Sequence, residues 1–114
     1  MKQENIEINN IIINFNIGSN ACENYELLYN SKPNDLWFHL DEYPSCYVIA
    51  STHDLICNKK DKQKLIKFGC VLCKKYSKYA SIKNIKIIYT QVKNLEKTKY
   101  IGSVIAKNTK IISL

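Results

Sequence analysis

Apolar residues in the first part of the chain recur at every second position. Ile11, Ile13, Phe15 and Ile17 keep this period, and with Ile6 and Ile8 they predict two strands over 6–17 folded about Asn9-Asn10. Gly18-Ser19-Asn20 breaks the second strand. Asn20 is a good N-cap with Glu23 three residues on, which predicts a short helix over about 21–30. Ser31-Lys32-Pro33-Asn34 ends it, and residues 36–40 and 46–50 then read as strands around the turn 41–44. The period changes over about 60–80. There Leu65, Phe68, Leu72, Tyr76 and Tyr79 share one side of a helix, with Gly69 and Cys73 beside them. Strands follow at 85–89, 102–106 and 110–114, the last two bracketing the turn Lys107-Asn108-Thr109 as an expected hairpin, and 93–99 reads as a basic loop. Two helices and about seven strands joined mostly by hairpins predict one α+β domain over 1–114 with a mostly antiparallel sheet, residues 1–5 being a frayed tail.

Composition narrows the class without changing that picture. The chain has 114 residues, 46% apolar and 24% charged, a balance that suits one globular core. Its longest apolar run, Ile11-Ile12-Ile13, is far below the roughly 20 residues of a membrane span. The polar start Met1-Lys2-Gln3-Glu4-Asn5 lacks a signal-peptide pattern, so a soluble cytoplasmic protein is expected.

Charge is divided unevenly. Residues 1–54 hold two Lys against eight Asp and Glu, a net of −6, whereas 55–114 hold fifteen Lys against two acids, a net of +13. Lys60, Lys64, Lys67, Lys74, Lys75 and Lys78 all fall on the helix side opposite the apolar stripe. Like charges one turn apart repel by a few tenths of a kcal/mol per pair, and a solvated face needs only one or two of them. Such a face suits phosphate, and the asymmetry suits a polyanion. A plain solubility stripe, from a composition rich in Asn, Ile and Lys and devoid of Arg, is the other reading.

Enzyme motifs are missing. The two histidines, His39 and His53, sit in no triad order or metalloprotease pattern, and no phosphate-binding or dinucleotide loop occurs. Cys70-Val71-Leu72-Cys73 has C-x-x-C spacing, and Cys46 and Cys57 would be needed to complete a zinc site. The pair lies inside a helical pattern without the turns of a zinc knuckle, so free buried thiols are expected, with no metal, cofactor or catalytic role. In Asp35-Leu36-Trp37-Phe38-His39 the alternation sends Leu36 and Phe38 to the core and Asp35, Trp37 and His39 to the other face. An exposed Trp and His would stack on a base. The same trio would equally make a buried polar cluster tying the strand to a loop.

Four blocks in order resemble the NFACT-R domain, the RNA-binding module of ribosome quality-control factors, from about Ile13 to Leu114. They are Gly18-Ser19-Asn20-Ala21-Cys22-Glu23-Asn24; then Asp35 to His39 with Pro44-Ser45 and Tyr47-Val48-Ile49; then Tyr76-Ser77-Lys78; and finally Ile88-Tyr89-Thr90 with Lys93 to Thr98 and Gly102. The final block looks most like the standalone branch of coiled-coil-domain-containing proteins, although these 114 residues carry no coiled coil. Two positions depart from the family pattern: Ser19 stands where the family has a basic residue, and Tyr47 where it has His. The resemblance implies RNA binding, to tRNA or ribosome-associated RNA, in translation or ribosome quality control. Asn20, Glu23, Asn24, Asp35, Trp37, His39 and Tyr47 would form the specific surface. The six helix lysines with Lys93 and Lys97 would form the electrostatic one. A module that docks on a ribosomal or acidic protein, or one that binds DNA, is the alternative.

Overall fold

Asn9 and Asn10 both take positive φ, 50° and 64°, as a two-residue turn between right-twisted strands requires. They join β1 (Lys2–Ile8) to β2 (Ile11–Ile17) in a hairpin whose register runs from Ile8↔Ile11 to Lys2↔Ile17. Residues 2–5 are therefore strand, where a frayed tail was expected. Their polar character is that of a sheet edge, with Glu4 held by the Tyr76 hydroxyl and by Lys75.

The computed structural model describes all of residues 1–114. After β2 the chain forms α1 (Ala21–Asn30), β3 (Leu36–Leu40), β4 (Val48–Ala50), α2 (Lys59–Lys75) and β5 (Lys86–Gln91). A single 3₁₀ turn (Val92–Asn94) leads to β6 (Leu95–Lys97), β7 (Val104–Ala106) and β8 (Lys110–Ser113). Six strands make an antiparallel sheet in the order β1-β2-β4-β3-β5-β8, and β6 and β7 form a separate ribbon. The fold is α+β, as the sequence predicts, with eight strands in two sheets.

Both helices start where the sequence provides a cap. The Asn20 side chain accepts from the Glu23 N–H at 2.9 Å, and that of Asn58 accepts from the Asp61 N–H at 2.8 Å. Asp61 in the first turn of α2 and Lys74 and Lys75 in its last complement the helix dipole. The helix ends at Lys75, earlier than its apolar spacing suggests. Ser77 is the cause: its hydroxyl donates back to the Lys74 carbonyl at 2.7 Å and accepts from the Tyr79 N–H at 3.1 Å, which turns the chain.

The two helices cover opposite faces of the sheet. On one face α2 packs Leu65, Ile66, Cys70, Leu72 and Cys73 against Phe15, Leu36, Phe38, Val48 and Ile87. Gly69 lets the helix approach Phe38, since a Cβ there would lie 2.4 Å from the ring. On the other face Leu27 and Leu28 of α1 and Val104 and Ala106 of the ribbon close over Trp37, Tyr47 and Ile49. Cys46, Cys70 and Cys73 are buried, Cys22 and Cys57 are not, and burial pushes the Cys70 thiol up to about 12.

β7 and β8 do not pair, contrary to the expected hairpin. β7 pairs with β6, and β8 crosses to β5. Lys107-Asn108 is the crossover turn, with Asn108 at φ 54°. Thr90 fixes it from the buried end of β5, its hydroxyl donating to the Lys107 carbonyl at 2.9 Å. The basic 93–99 segment accordingly contains the 3₁₀ turn and β6 rather than a free loop.

Candidate nucleic-acid interface

A groove of about 940 Å³ opens on the sheet face that carries α1. The start of α1 and its preceding turn form one wall, and residues 102–106 form another. Residues 41 and 44–47 and the Tyr76-Ser77-Lys78 turn close the end of the groove. His39 lies on the floor with Ile88 and Ile111.

The sequence pattern of β3 is resolved by this packing. Trp37 is 2% exposed, so it does not reach solvent and cannot stack directly on a base. Covered strands in the middle of a sheet are apolar on both faces, and β3 is one of them. His39, near the open end of β3, keeps partial exposure. Its imidazole stacks on Trp37 at 5.6 Å and 10°, and Tyr47 meets both rings edge-on, at 5.3 Å and 5.4 Å. Burial depresses the His39 pKa below its ordinary value of 6.5, opposed by the Leu40 carbonyl and by Asp41. At neutral pH the ring is an uncharged donor and acceptor.

Asp35 is not a partner of His39. It sits at the other end of the strand, 6% exposed, and its carboxylate accepts from the backbone N–H groups of Lys32, Thr52 and His53 at 2.8, 2.9 and 2.9 Å. Those bonds tie the 32–35 turn to the 51–54 loop, the second of the two roles that the sequence left open. Asn24 is also an internal tie: its Oδ1 accepts from the Tyr47 N–H at 3.1 Å and occupies the space beside Gly18. Glu23 accepts from the N–H and hydroxyl of Ser19, at 3.0 and 2.7 Å, which holds its carboxyl below the usual range. Asn20 is exposed on the groove wall.

Tyr47 donates its hydroxyl to the Gly102 carbonyl at 2.6 Å, and desolvation raises its pKa to about 12. Tyr25 makes the parallel bond to the Ser103 carbonyl at 2.6 Å. Tyr25 from α1 and Tyr47, the residue before β4, together clamp the 98–103 segment onto helix and sheet. Gly102 is needed there twice over, because its φ is +82° and a Cβ would come within 2.7 Å of Ala21. The hydrogen bond that Tyr47 has to offer is thus used inside the protein.

The lysines divide into separate surfaces. Lys60, Lys64 and Lys67 are exposed on the outer side of α2, across the sheet from the groove. Lys74 donates to the Leu114 carbonyl at 3.0 Å, and Lys75 pairs with Glu4 at 3.5 Å. Among the six helix-region lysines, Lys78 alone lines the groove. Lys2, at the start of β1, joins it with its ammonium 4.5 Å from the Tyr76 ring centroid. Nothing in the sequence pattern marks Lys2, because only the β1–β2 pairing carries it there. Lys93 is exposed at the 3₁₀ turn, and Lys97 lies over Tyr25 at 5.1 Å; neither lines the groove. No helix is long and apolar enough to cross a membrane.

Comparison with known proteins places this arrangement. No curated protein sequence matches the chain. Among solved structures, the chain is similar to the C-terminal part of the fibronectin/fibrinogen-binding protein from Streptococcus suis, with a TM-score of 0.76 and 22% identity. That match covers 90% of this chain and 40% of the other, and at such identity it speaks for the fold alone. The family model described as the NFACT protein RNA binding domain matches residues 7–112, and a nucleic-acid-binding role accords with it. Matched over nearly all of its length, this chain belongs to the NFACT-R family.

Proposed function

We propose that this protein is a non-catalytic RNA-binding module whose binding site is the groove over His39, and that its RNA is tRNA or ribosome-associated RNA met in the cytoplasm during translation. One observation carries the reading. Residues from the blocks that carry the family likeness, Asn20, His39, Ser45 and Lys78, line one groove although they come from four separate parts of the chain. A recessed floor of ring and aliphatic side chains beside two lysines offers stacking and charge together, the combination that RNA modules use. The outer lysines of α2 add a sequence-independent attraction for phosphate from the other side of the molecule.

Filter binding of tRNA at two salt concentrations tests the reading, with DNA of matched sequence in parallel. Affinity for tRNA is expected to fall steeply with salt and to exceed that for DNA. Lys78→Glu is expected to weaken it by about tenfold, the effect of roughly 1.4 kcal/mol. Absence of tRNA binding at low salt, or indifference to Lys78→Glu together with His39→Ala, defeats the proposal.

A further inference from the structure

We infer that the groove takes an unpaired nucleotide, its base against the imidazole of His39 and its phosphate between Lys2 and Lys78. This rests on the RNA-binding reading above and gives it a ligand. Three observations lead to it.

The first is size. A groove of about 940 Å³ falls in the range of small-molecule sites, roughly 300–1,000 Å³. It has room for one or two nucleotides and none for a duplex. Paired bases stay inside a helix, so a duplex laid across the opening would leave the floor of His39, Ile88 and Ile111 unfilled.

The second is the state of the floor. Trp37 covers one face of the His39 ring, Tyr47 meets it edge-on, and its remaining exposure is to the groove. The ring is held from the side by a residue that is itself 2% exposed, so little side-chain freedom remains to be lost when a base stacks on it. The third is the placement of charge. Lys2 lies over the Tyr76 ring, and Lys78 is two residues beyond Tyr76, so both cations stand at one end of the groove. A base on the floor has its phosphate toward that end. Asp41 is the acid lining the groove, beside His39 and at the end that Lys78 also closes, where the two lysines outnumber its charge and its carboxylate is an acceptor for base-edge donors.

The chain has one tryptophan, and it is the residue stacked beside His39, so its fluorescence reports on the floor. Four probes are titrated: a single-stranded oligonucleotide of about 5 nucleotides, a blunt duplex of the same sequence, a free mononucleotide and tRNA. Single strand is expected to bind at least tenfold tighter than duplex, with a change in Trp37 emission that duplex does not cause. The mononucleotide, lacking neighbouring phosphates, is expected to bind at least tenfold weaker than the oligonucleotide. His39→Ala and Lys78→Ala should each cost the single strand about tenfold, and Lys78→Ala leaves the core untouched if His39→Ala unfolds. Equal binding of duplex and single strand, or single-strand binding that ignores both variants, overturns the inference while leaving RNA binding intact. Mononucleotide affinity equal to that of the oligonucleotide assigns the groove to free nucleotides and overturns it as well. Failure of every probe, tRNA included, removes the RNA-binding reading itself.

Discussion

His39 is the residue on which fold and binding meet, and its burial ties stability to pH. Its pKa in the folded protein is depressed below 6.5, so the unfolded chain binds this proton more readily. The neutral ring's contribution to stability is complete above pH 6.5 and is lost as the pH falls from there through the depressed folded value. The lowered carboxylates, Glu4 and Glu23, respond only below their ordinary value of 4.5, outside that window. Urea midpoints of the native protein are therefore expected to drop between about pH 7.5 and about pH 5.5, and those of His39→Gln to drop less. Equal losses in both proteins would show that His39 is not the group responsible. Tyr47 makes the second residue-scale case. Tyr47→Phe removes the donor to the Gly102 carbonyl and leaves that oxygen without its partner in a half-buried site, a loss of about 1–2 kcal/mol. It is read as a lower urea midpoint at unchanged slope. None of this is legible in the sequence, which shows a Tyr and a His on two strands but not that the rings touch.

At the scale of elements the sequence is far more explicit, and its omissions have identifiable causes. Asn9-Asn10, Asn20 and Asn58 mark a turn and two caps through their own hydrogen-bonding and backbone preferences, so local chemistry suffices there. β3 was legible as a strand but not as a strand covered on both faces. Alternation assigns Trp37 to a face, and only the packing of α1 and the ribbon decides that this face is closed. The β7–β8 hairpin was expected because a short turn between apolar runs usually folds back. Here Thr90, seventeen residues earlier, captures the turn and sends β8 to another sheet. The contact between α2 and β3 supplies the element-scale prediction. Gly69→Ala places a Cβ against the Phe38 ring, backed by a fully buried core, and is expected to destabilise by about 1–3 kcal/mol despite the better helix propensity of Ala. Thermal unfolding of Gly69→Ala checks this, and a gain in stability would mean that the helix has room to move outward.

For the whole molecule, the consequence of the fold is that its positive charge is not one surface. The sheet lies between the lysines on the outer side of α2 and the groove, so Lys60, Lys64 and Lys67 cannot touch the nucleotide that His39 touches. In the linear sequence Lys78 belongs with those three, and Lys2 belongs with nothing. In the fold Lys78 and Lys2 share the groove end, with Tyr76 between strand and helix as the joint. Counterion release makes this division measurable, because each neutralised phosphate of a single strand contributes about −0.7 to the slope of log affinity against log salt. For an oligonucleotide of about 5 nucleotides, Lys2→Ala and Lys78→Ala combined should make the slope shallower by about 0.7, and Lys60, Lys64 and Lys67 changed together to Gln should leave it unmoved. With tRNA, long enough to pass round the molecule, the triple variant should flatten the slope as well. A slope that responds to the triple variant with the short strand would place that strand on α2 and take it out of the groove. A slope that ignores the triple variant with both ligands would reduce the α2 lysines to a solubility stripe, the reading that composition alone also allowed.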